Sequence, residues 1–176
     1  MQAFISAGSN IDPQENLLKA LLLLAGKVDI KTISTVYETR ALGRPEQQDY
    51  YNCVLRVDTN LPPRKLKYGV LRMVEEALGR VRTPDKYAPR TMDLDLIVYD
   101  DLALRTTEMA LPDPQITQRP FLAISLFELA PELILPGTGQ KIKDVAAKFR
   151  GEDMVPLTEY TELLRREVLN YGRREG

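Results

Sequence analysis

The chain has 176 residues, 44% of them apolar and 28% charged, a composition that fits one globular domain with a substantial core and argues against disorder or a membrane-inserted chain. With 24 Lys plus Arg against 25 Asp plus Glu, nothing global attracts nucleic acid or an anionic membrane, so neither is an expected partner and any anion site must be a local gathering of cations. Histidine is absent, which excludes Ser-His-Asp and Cys-His catalysis and imidazole-ligated metals.

The lone cysteine, Cys53, leaves no internal disulfide and no thiolate zinc cluster, and it fits a reducing cytoplasm. The longest apolar stretch, Ala20 to Ala25, is far shorter than the ~20 residues a bilayer span needs, and the start of the chain has no basic segment leading into a long apolar run. A cytoplasmic protein is therefore expected.

Residues 2–7, QAFISA, predict a first strand that turns at Gly8, Ser9 and Asn10. A helix follows, with Asp12 as its N-cap, Pro13 in its first turn and Glu15 placed to complete a capping box; its apolar body runs from Leu17 to Leu24 and ends near Gly26. Residues 30–38 and 50–58 are rich in β-branched and aromatic side chains and predict two strands separated by a polar loop. Pro62 and Pro63 open a second helix, in which Leu66, Val70, Leu71, Val74, Ala77 and Leu78 recur at helical spacing before Gly79 closes it. After a basic loop, TMDLDLIVYDD predicts a further strand.

The order βαββαβ is that of a ferredoxin-like α+β core, with helices packed on a mainly antiparallel sheet. Beyond it, DDLALRT is a candidate hairpin partner of the preceding strand, RPFLAISLFELA a third helix and IKDVAAKFRG a fourth. An amphipathic helix over about 157–170 aligns Leu157, Tyr160, Leu163, Leu164, Val168 and Leu169. Without repeat, linker or low-complexity tract, residues 1–176 are read as a single domain.

The segment from Gly79 to Asp95, GRVRTPDKYAPRTMDLD, gathers Arg80, Arg82, Lys86 and Arg90 in front of Asp93 and Asp95. Strand alternation puts both aspartates on one side, their Cα atoms roughly 6–7 Å apart, with Met92, Leu94 and Leu96 on the other. Paired carboxylates disfavour double ionisation unless a cation joins them, and such hard oxygen pairs suit magnesium, which adds waters and phosphate oxygens. A wet strand face is the bland alternative. Guanidinium forks match phosphate oxygens, so Arg80, Arg82 and Arg90 point to a magnesium-nucleoside triphosphate, although such a loop can also be merely solvated.

These residues resemble the 6-hydroxymethyl-7,8-dihydropterin pyrophosphokinases of folate biosynthesis. The resemblance rests on GSN after the first strand, YYNCV around Asn52, GRVR followed by PRTMDLDL, and LPDP, RPF and LFELAPEL between Leu111 and Leu133. It implies transfer of pyrophosphate from ATP to the hydroxymethyl oxygen of the pterin, with release of AMP. It implies two magnesium ions held by Asp93 and Asp95, phosphate contacts from Arg80, Arg82, Arg90 and Arg119, and Glu75 at the nucleotide edge of the site. Gly43, Tyr50, Asn52 and Phe121 match pterin-side positions, with Thr39 and Leu42 contributing backbone.

Phe121 offers an aromatic face and Asn52 an amide to a flat heteroaromatic ring, while core packing and a strand-end turn are their bland alternatives. Asp113 stands where the family has a histidine beside the nucleotide, and Glu108 where a cationic or neutral contact is expected. The C-terminal helix matches no family role.

Phosphoryl-type transfer depends mainly on positioning and charge neutralisation, so the absence of histidine is no obstacle. The expectation is that the magnesium bound by Asp93 and Asp95 polarises the β-phosphate and activates the attacking hydroxyl. Arg82 and Arg90 then stabilise charge as AMP departs, an aspartate oxygen accepts the proton, and the loops 39–49 and 79–89 close over the site. A catalytically weakened pterin- or nucleotide-binding relative would share these motifs. An RNA-binding ferredoxin-like module would need more exposed aromatics than Tyr50 and Tyr51 on its central strands. A monomer is favoured.

Overall fold

The computed structural model describes residues 1–151 and 153–174, with the side chains of 172–174 left aside. Strands β1 (Gln2–Ser9), β2 (Asp29–Ile33), β3 (Tyr37–Thr39), β4 (Tyr50–Asp58) and β5 (Asp93–Tyr99) form one antiparallel sheet in the order β5-β1-β4-β3, with β2 also pairing β4. Together with α1 (Pro13–Ala25) and α2 (Arg72–Ala77) this is the expected βαββαβ order, except that its second strand is broken in two at residues 34–36. The break comes where Ser34 turns both its backbone N–H and its hydroxyl to β4: the N–H donates to Val54 O and the hydroxyl accepts from Val54 N, each at 2.9 Å.

In α1, Leu17, Ala20, Leu21 and Leu24 bury one stripe against the sheet, at the spacing a 3.6-residue turn requires. The capping expectation fails. Asp12 has φ 40° and makes no side-chain cap, while Glu15 pairs with Lys19 at 2.5 Å instead of reaching back. The entry is held by Asn16, whose amide donates to Ile11 O at 2.6 Å.

The second helix departs from regular α geometry. Lys65–Leu71 is π-helical and continues directly as α2. Leu66 and Leu71 are both fully buried although five residues apart, a spacing the wider π turn brings onto one face. Gly79, at φ 73°, then turns the chain out of the helix, a conformation that favours glycine.

Beyond β5, Leu104–Arg105 (β6) pairs with Ala110–Leu111 (β7) in a separate small ribbon, so the expected hairpin with the central sheet does not form. Asp100, at φ 43°, turns the chain away at the end of β5. A 3-10 turn (Pro114–Thr117) leads into α3 (Pro120–Leu129), and α4 (Ile142–Ala146) is short. The sequence reading missed β8 (Met154–Pro156), which adds to the sheet edge by pairing with β3. The last helix, α5 (Thr158–Arg174), lies where the amphipathic pattern placed it and buries Tyr160, Leu164 and Val168.

One face of the sheet packs on α1, α2 and α5 through residues such as Ile5, Leu55, Leu94 and Leu96. The other packs on α3 and α4 through Phe4, Val54, Ile97, Leu122 and Val145. Each such buried aliphatic side chain contributes about 1.5–3 kcal/mol relative to exposure. At one end of that second face, beside Gly8, Asn52, Asp93 and Asp95, the cover gives way to a cleft.

Candidate active site

The site is assembled by sheet register. Gly8 is the partner of Asn52 on one side and of Asp93 on the other, and Ser6 is the partner of Asp95, so three strands present these side chains in two adjacent rows. The alternation along β5 buries Leu94 and Leu96 below while Asp93 and Asp95 stay half-buried above, as the sequence predicts. The Asn52 amide donates to Thr39 Oγ1 at 2.7 Å, which leaves the side-chain carbonyl as an acceptor close to Gly8.

Two clefts meet at the carboxylates. The first, about 390 Å³, is lined by Tyr50, Asn52, Leu42, Phe121, Arg119 and Asp113 among others. The second, about 330 Å³, is lined by Lys67, Tyr68, Arg72, Glu75, Arg80 and Arg82. Arg90, Asp93 and Asp95 belong to both. The first offers aromatic rings and an amide; the second gathers five cations, Lys67, Arg72, Arg80, Arg82 and Arg90, around three carboxylates.

Glu75 organises the cationic side. Its carboxylate, only 4% exposed, accepts from Arg80 at 2.7 Å, from Arg82 at 2.5 Å and from the Leu94 N–H at 2.9 Å. Burial pushes its pKa up against the pull of that N–H and the arginines. Glu75 is thus a buried support beneath two arginines at the wall of the second cleft.

Arg80 spans Glu75, Asp93 and Met92 O and is itself nearly buried. Burial works against its charge, but Asp93, Glu75 and Asp95 outweigh it and raise its pKa. Arg82 is the more available of the two, with 55% of its side chain exposed. Arg90 pairs with Asp93 at 2.5 Å and donates to Lys86 O at 2.9 Å.

Burial and the neighbouring Asp93 charge raise the Asp95 pKa to about 6, with Lys67 pulling the other way, while Arg80 and Arg90 pair directly with Asp93. Among the described residues there is no group of three or more His, Cys, Asp and Glu side chains fit to hold a metal. Two carboxylates at the wall of a cleft rich in lysine and arginine suit a hard cation that completes its shell with water and phosphate oxygens, as magnesium does.

The first cleft brings together Leu42, Tyr50, Asn52, Asp113, Arg119 and Phe121, while Arg80, Arg82 and Glu75 face the second. Thr39 and Gly43 line neither: Thr39 stands behind Asn52 as its hydrogen-bond partner, and Gly43, at φ 71°, packs near the Tyr87 ring. Asp113 caps the 3-10 turn by accepting from Gln115 N at 2.8 Å. Arg119 lies over the Phe121 ring at 5.1 Å, and burial lowers its pKa. The Glu108 carboxylate is engaged by Arg64.

Lys67 and Arg72 were missed by the sequence reading, because their helical spacing marked them only as the polar face of an amphipathic helix. The loops 39–49 and 79–89 are joined across the first cleft. Arg44 pairs with Asp85 at 2.7 Å, and the Gln47 amide donates to Tyr87 O at 2.8 Å. Asn10 serves both loops: its amide N–H donates to Gln47 Oε1 at 3.1 Å, and its Oδ1 accepts from Arg90 N at 2.7 Å. Cys53, fully buried with its thiol pushed up to about 12, is no nucleophile.

Residues 4–131 match the family model of 7,8-dihydro-6-hydroxymethylpterin-pyrophosphokinase (HPPK). The chain belongs to that family. Curated HPPK relatives include 2-amino-4-hydroxy-6-hydroxymethyldihydropteridine pyrophosphokinases of a Synechocystis strain and of Haemophilus influenzae. The first is 37% identical over 80% of this chain and 72% of the relative; the second is 33% identical over 88% and 97%.

Among solved structures, the HPPK-DHPS of Plasmodium falciparum superposes with a TM-score of 0.66 at 14% identity, over 88% of this chain and 47% of that one. The chain thus spans about half of that longer polypeptide, and the likeness concerns the HPPK fold. HPPK membership makes the chain an ATP-dependent pyrophosphokinase of folate biosynthesis.

Proposed function

We propose that the first cleft holds 6-hydroxymethyl-7,8-dihydropterin and the second the polyphosphate of ATP, with the reaction taking place at their shared wall. The carrying observation is that Arg90, Asp93 and Asp95 border both clefts. The pterin hydroxymethyl oxygen attacks the β-phosphorus, the bond from that phosphorus to the oxygen leading to the α-phosphorus breaks, and AMP leaves. A carboxylate oxygen of the Asp93 and Asp95 pair accepts the hydroxyl proton.

In this reading Phe121 and Tyr50 flank the pterin ring and Asn52 Oδ1 accepts from one of its N–H groups, while Arg82 and Arg90, with Arg119 where the first cleft meets the shared wall near Asp93, contact phosphates. Lys67 and Arg72, which line the second cleft, join them. Arg80 and Glu75 hold the carboxylates and Arg82 in place. Asp93 and Asp95 would hold two magnesium ions, which supply charge neutralisation and Lewis acidity at phosphate oxygens when bound. The joined loops exclude water that would otherwise compete with the pterin hydroxyl.

The lone Cys53, which has no second cysteine to pair with, supports a cytoplasmic setting. No helix among the described residues is long and apolar enough to cross a membrane.

The test is product analysis with magnesium, ATP and the pterin. AMP and pterin diphosphate should form in equal amounts, and Arg82→Ala and Arg90→Ala should each lower kcat about a hundredfold, well beyond any rise in KM. Formation of ADP, or AMP release at the same rate without pterin, would refute the reading.

A further inference from the structure

The segment Met154–Arg174 lies outside the family-matched residues 4–131, yet it supports the wall of the first cleft. Where the sheet breaks between β2 and β3, backbone groups lose their regular strand partners, and α5 supplies replacements. Thr161 Oγ1 accepts from Val36 N at 2.9 Å and donates to Leu157 O at 2.8 Å, while Leu157 N donates to Val36 O at 2.8 Å. Arg165 Nε donates to Ile33 O at 2.9 Å. Glu128, in α3, ties the same break to the other face: it accepts from Thr35 N at 2.9 Å and from Arg165 Nη2 at 3.2 Å.

Val36 is fully buried and Thr161 only 2% exposed, so water has no access to replace the Thr161 contact. Three residues on is Thr39, whose hydroxyl accepts from the Asn52 amide at 2.7 Å and whose backbone is paired to Met154 of β8. The chain of support therefore runs from α5 through β3 to Asn52.

We propose that Thr161 is a positioning residue for the pterin, acting through β3 and Thr39 to fix the orientation of the Asn52 amide. The inference rests on the reading of Asn52 as a pterin contact. Removing the Thr161 hydroxyl leaves the Val36 N–H buried and unpartnered, which favours a frayed β3 edge. The apparent affinity for pterin then falls with the fraction of molecules that keep the edge formed. Asn52 lines the first cleft and not the second, so nucleotide binding is spared.

The experiment compares Thr161→Val, which keeps the side-chain shape, with Thr161→Ser, which keeps the hydroxyl, in the full chain. Calorimetry measures binding of a non-hydrolysable magnesium-ATP analogue, then of 6-hydroxymethylpterin in its presence, alongside steady-state kinetics. Thr161→Val should weaken pterin binding and raise its KM by about tenfold, change kcat and nucleotide affinity by less than about twofold, and be rescued by serine. Unchanged pterin affinity in Thr161→Val, equal weakening of both ligands, or failure of serine to rescue would overturn the inference.

Should Thr161→Val not fold, Arg165→Met, which removes the Ile33 contact from a side chain 32% exposed, should weaken pterin binding with nucleotide affinity changed by less than about twofold, and unchanged pterin affinity or equal weakening of both ligands would overturn the inference. A wild-type chain that binds nucleotide but no pterin would overturn the functional reading, and this inference with it. Normal wild-type binding with indifferent variants would overturn this inference alone.

Discussion

Gly8 on β1 and Asn52 on β4 are register partners, and a Cβ on residue 8 would stand 2.4 Å from Asn52 Oδ1. No real Cβ tolerates that approach, so the amide keeps its place only because residue 8 has no side chain. The same Gly8 is the partner of Asp93, which links the proposed pterin contact and the carboxylates through one backbone position.

Gly8→Ala should therefore force Asn52 off Thr39 and break the 2.7 Å contact between them. The loss of a buried, oriented amide costs about 1–3 kcal/mol, so pterin affinity should fall by roughly tenfold or more while the variant still binds nucleotide. Calorimetric titration of the two ligands checks this. Full pterin affinity in Gly8→Ala would show that Asn52 does not contact the ring.

Asp95 has a stability consequence as well as a catalytic one. Its folded-state pKa of about 6 lies above the ordinary aspartate value of 3.8, so its ionisation costs stability; the cost is absent below the unfolded pKa, grows as pH rises between the two values and is complete above the higher one. At about 1.4 kcal/mol per pKa unit the penalty reaches roughly 3 kcal/mol. In chelator, Asp95→Asn should thus resist urea better than wild type at about pH 7.5 and equal it at about pH 3.5, while turnover is abolished at every pH. Urea titrations at the two pH values, paired with the product assay, decide it. A variant that keeps near-normal turnover would remove Asp95 from the metal site.

Asp113 lines the first cleft, yet it stands near enough to the shared wall for its charge to help raise the Asp95 pKa, so a phosphate reaching that wall would feel the same charge. Asparagine caps a turn as well as aspartate does, so Asp113→Asn keeps the Gln115 contact and removes only the charge. Magnesium-ATP analogue binding should tighten by about 1 kcal/mol, or roughly fivefold, with pterin affinity unchanged. Asp113→His should tighten it too, at the cost of some local stability from the lost cap. Titration of both variants at fixed magnesium gives the answer, and unchanged or weaker binding in both would mean that Asp113 does not act on the phosphates.

The sequence by itself determined the placement of Asp93 and Asp95 on one side of a strand, because period-2 alternation is a local property of extended backbone. It likewise determined the buried stripes of α1 and α5, where apolar residues recur every three to four positions. The gathering of Arg80, Arg82 and Arg90 was legible because it lies within one loop.

Tertiary structure alone decided how those arginines are used. Glu75 is isolated on a helix in the sequence, and only packing against β5 brings it under Arg80, Arg82 and the Leu94 N–H. The π turn at Lys65–Leu71 was equally hidden, since helical spacing accounts for Leu66 and Leu71 until their common burial is seen. Nor can local pattern reveal β8 or the Thr161 contact: three residues gain strand character only by pairing with β3, and a threonine in a helix reads as an ordinary polar position until Val36 N–H arrives from 125 residues away. Backbone periodicity is written in neighbouring residues, whereas the partner of a buried polar atom is set by which distant segments the core brings together.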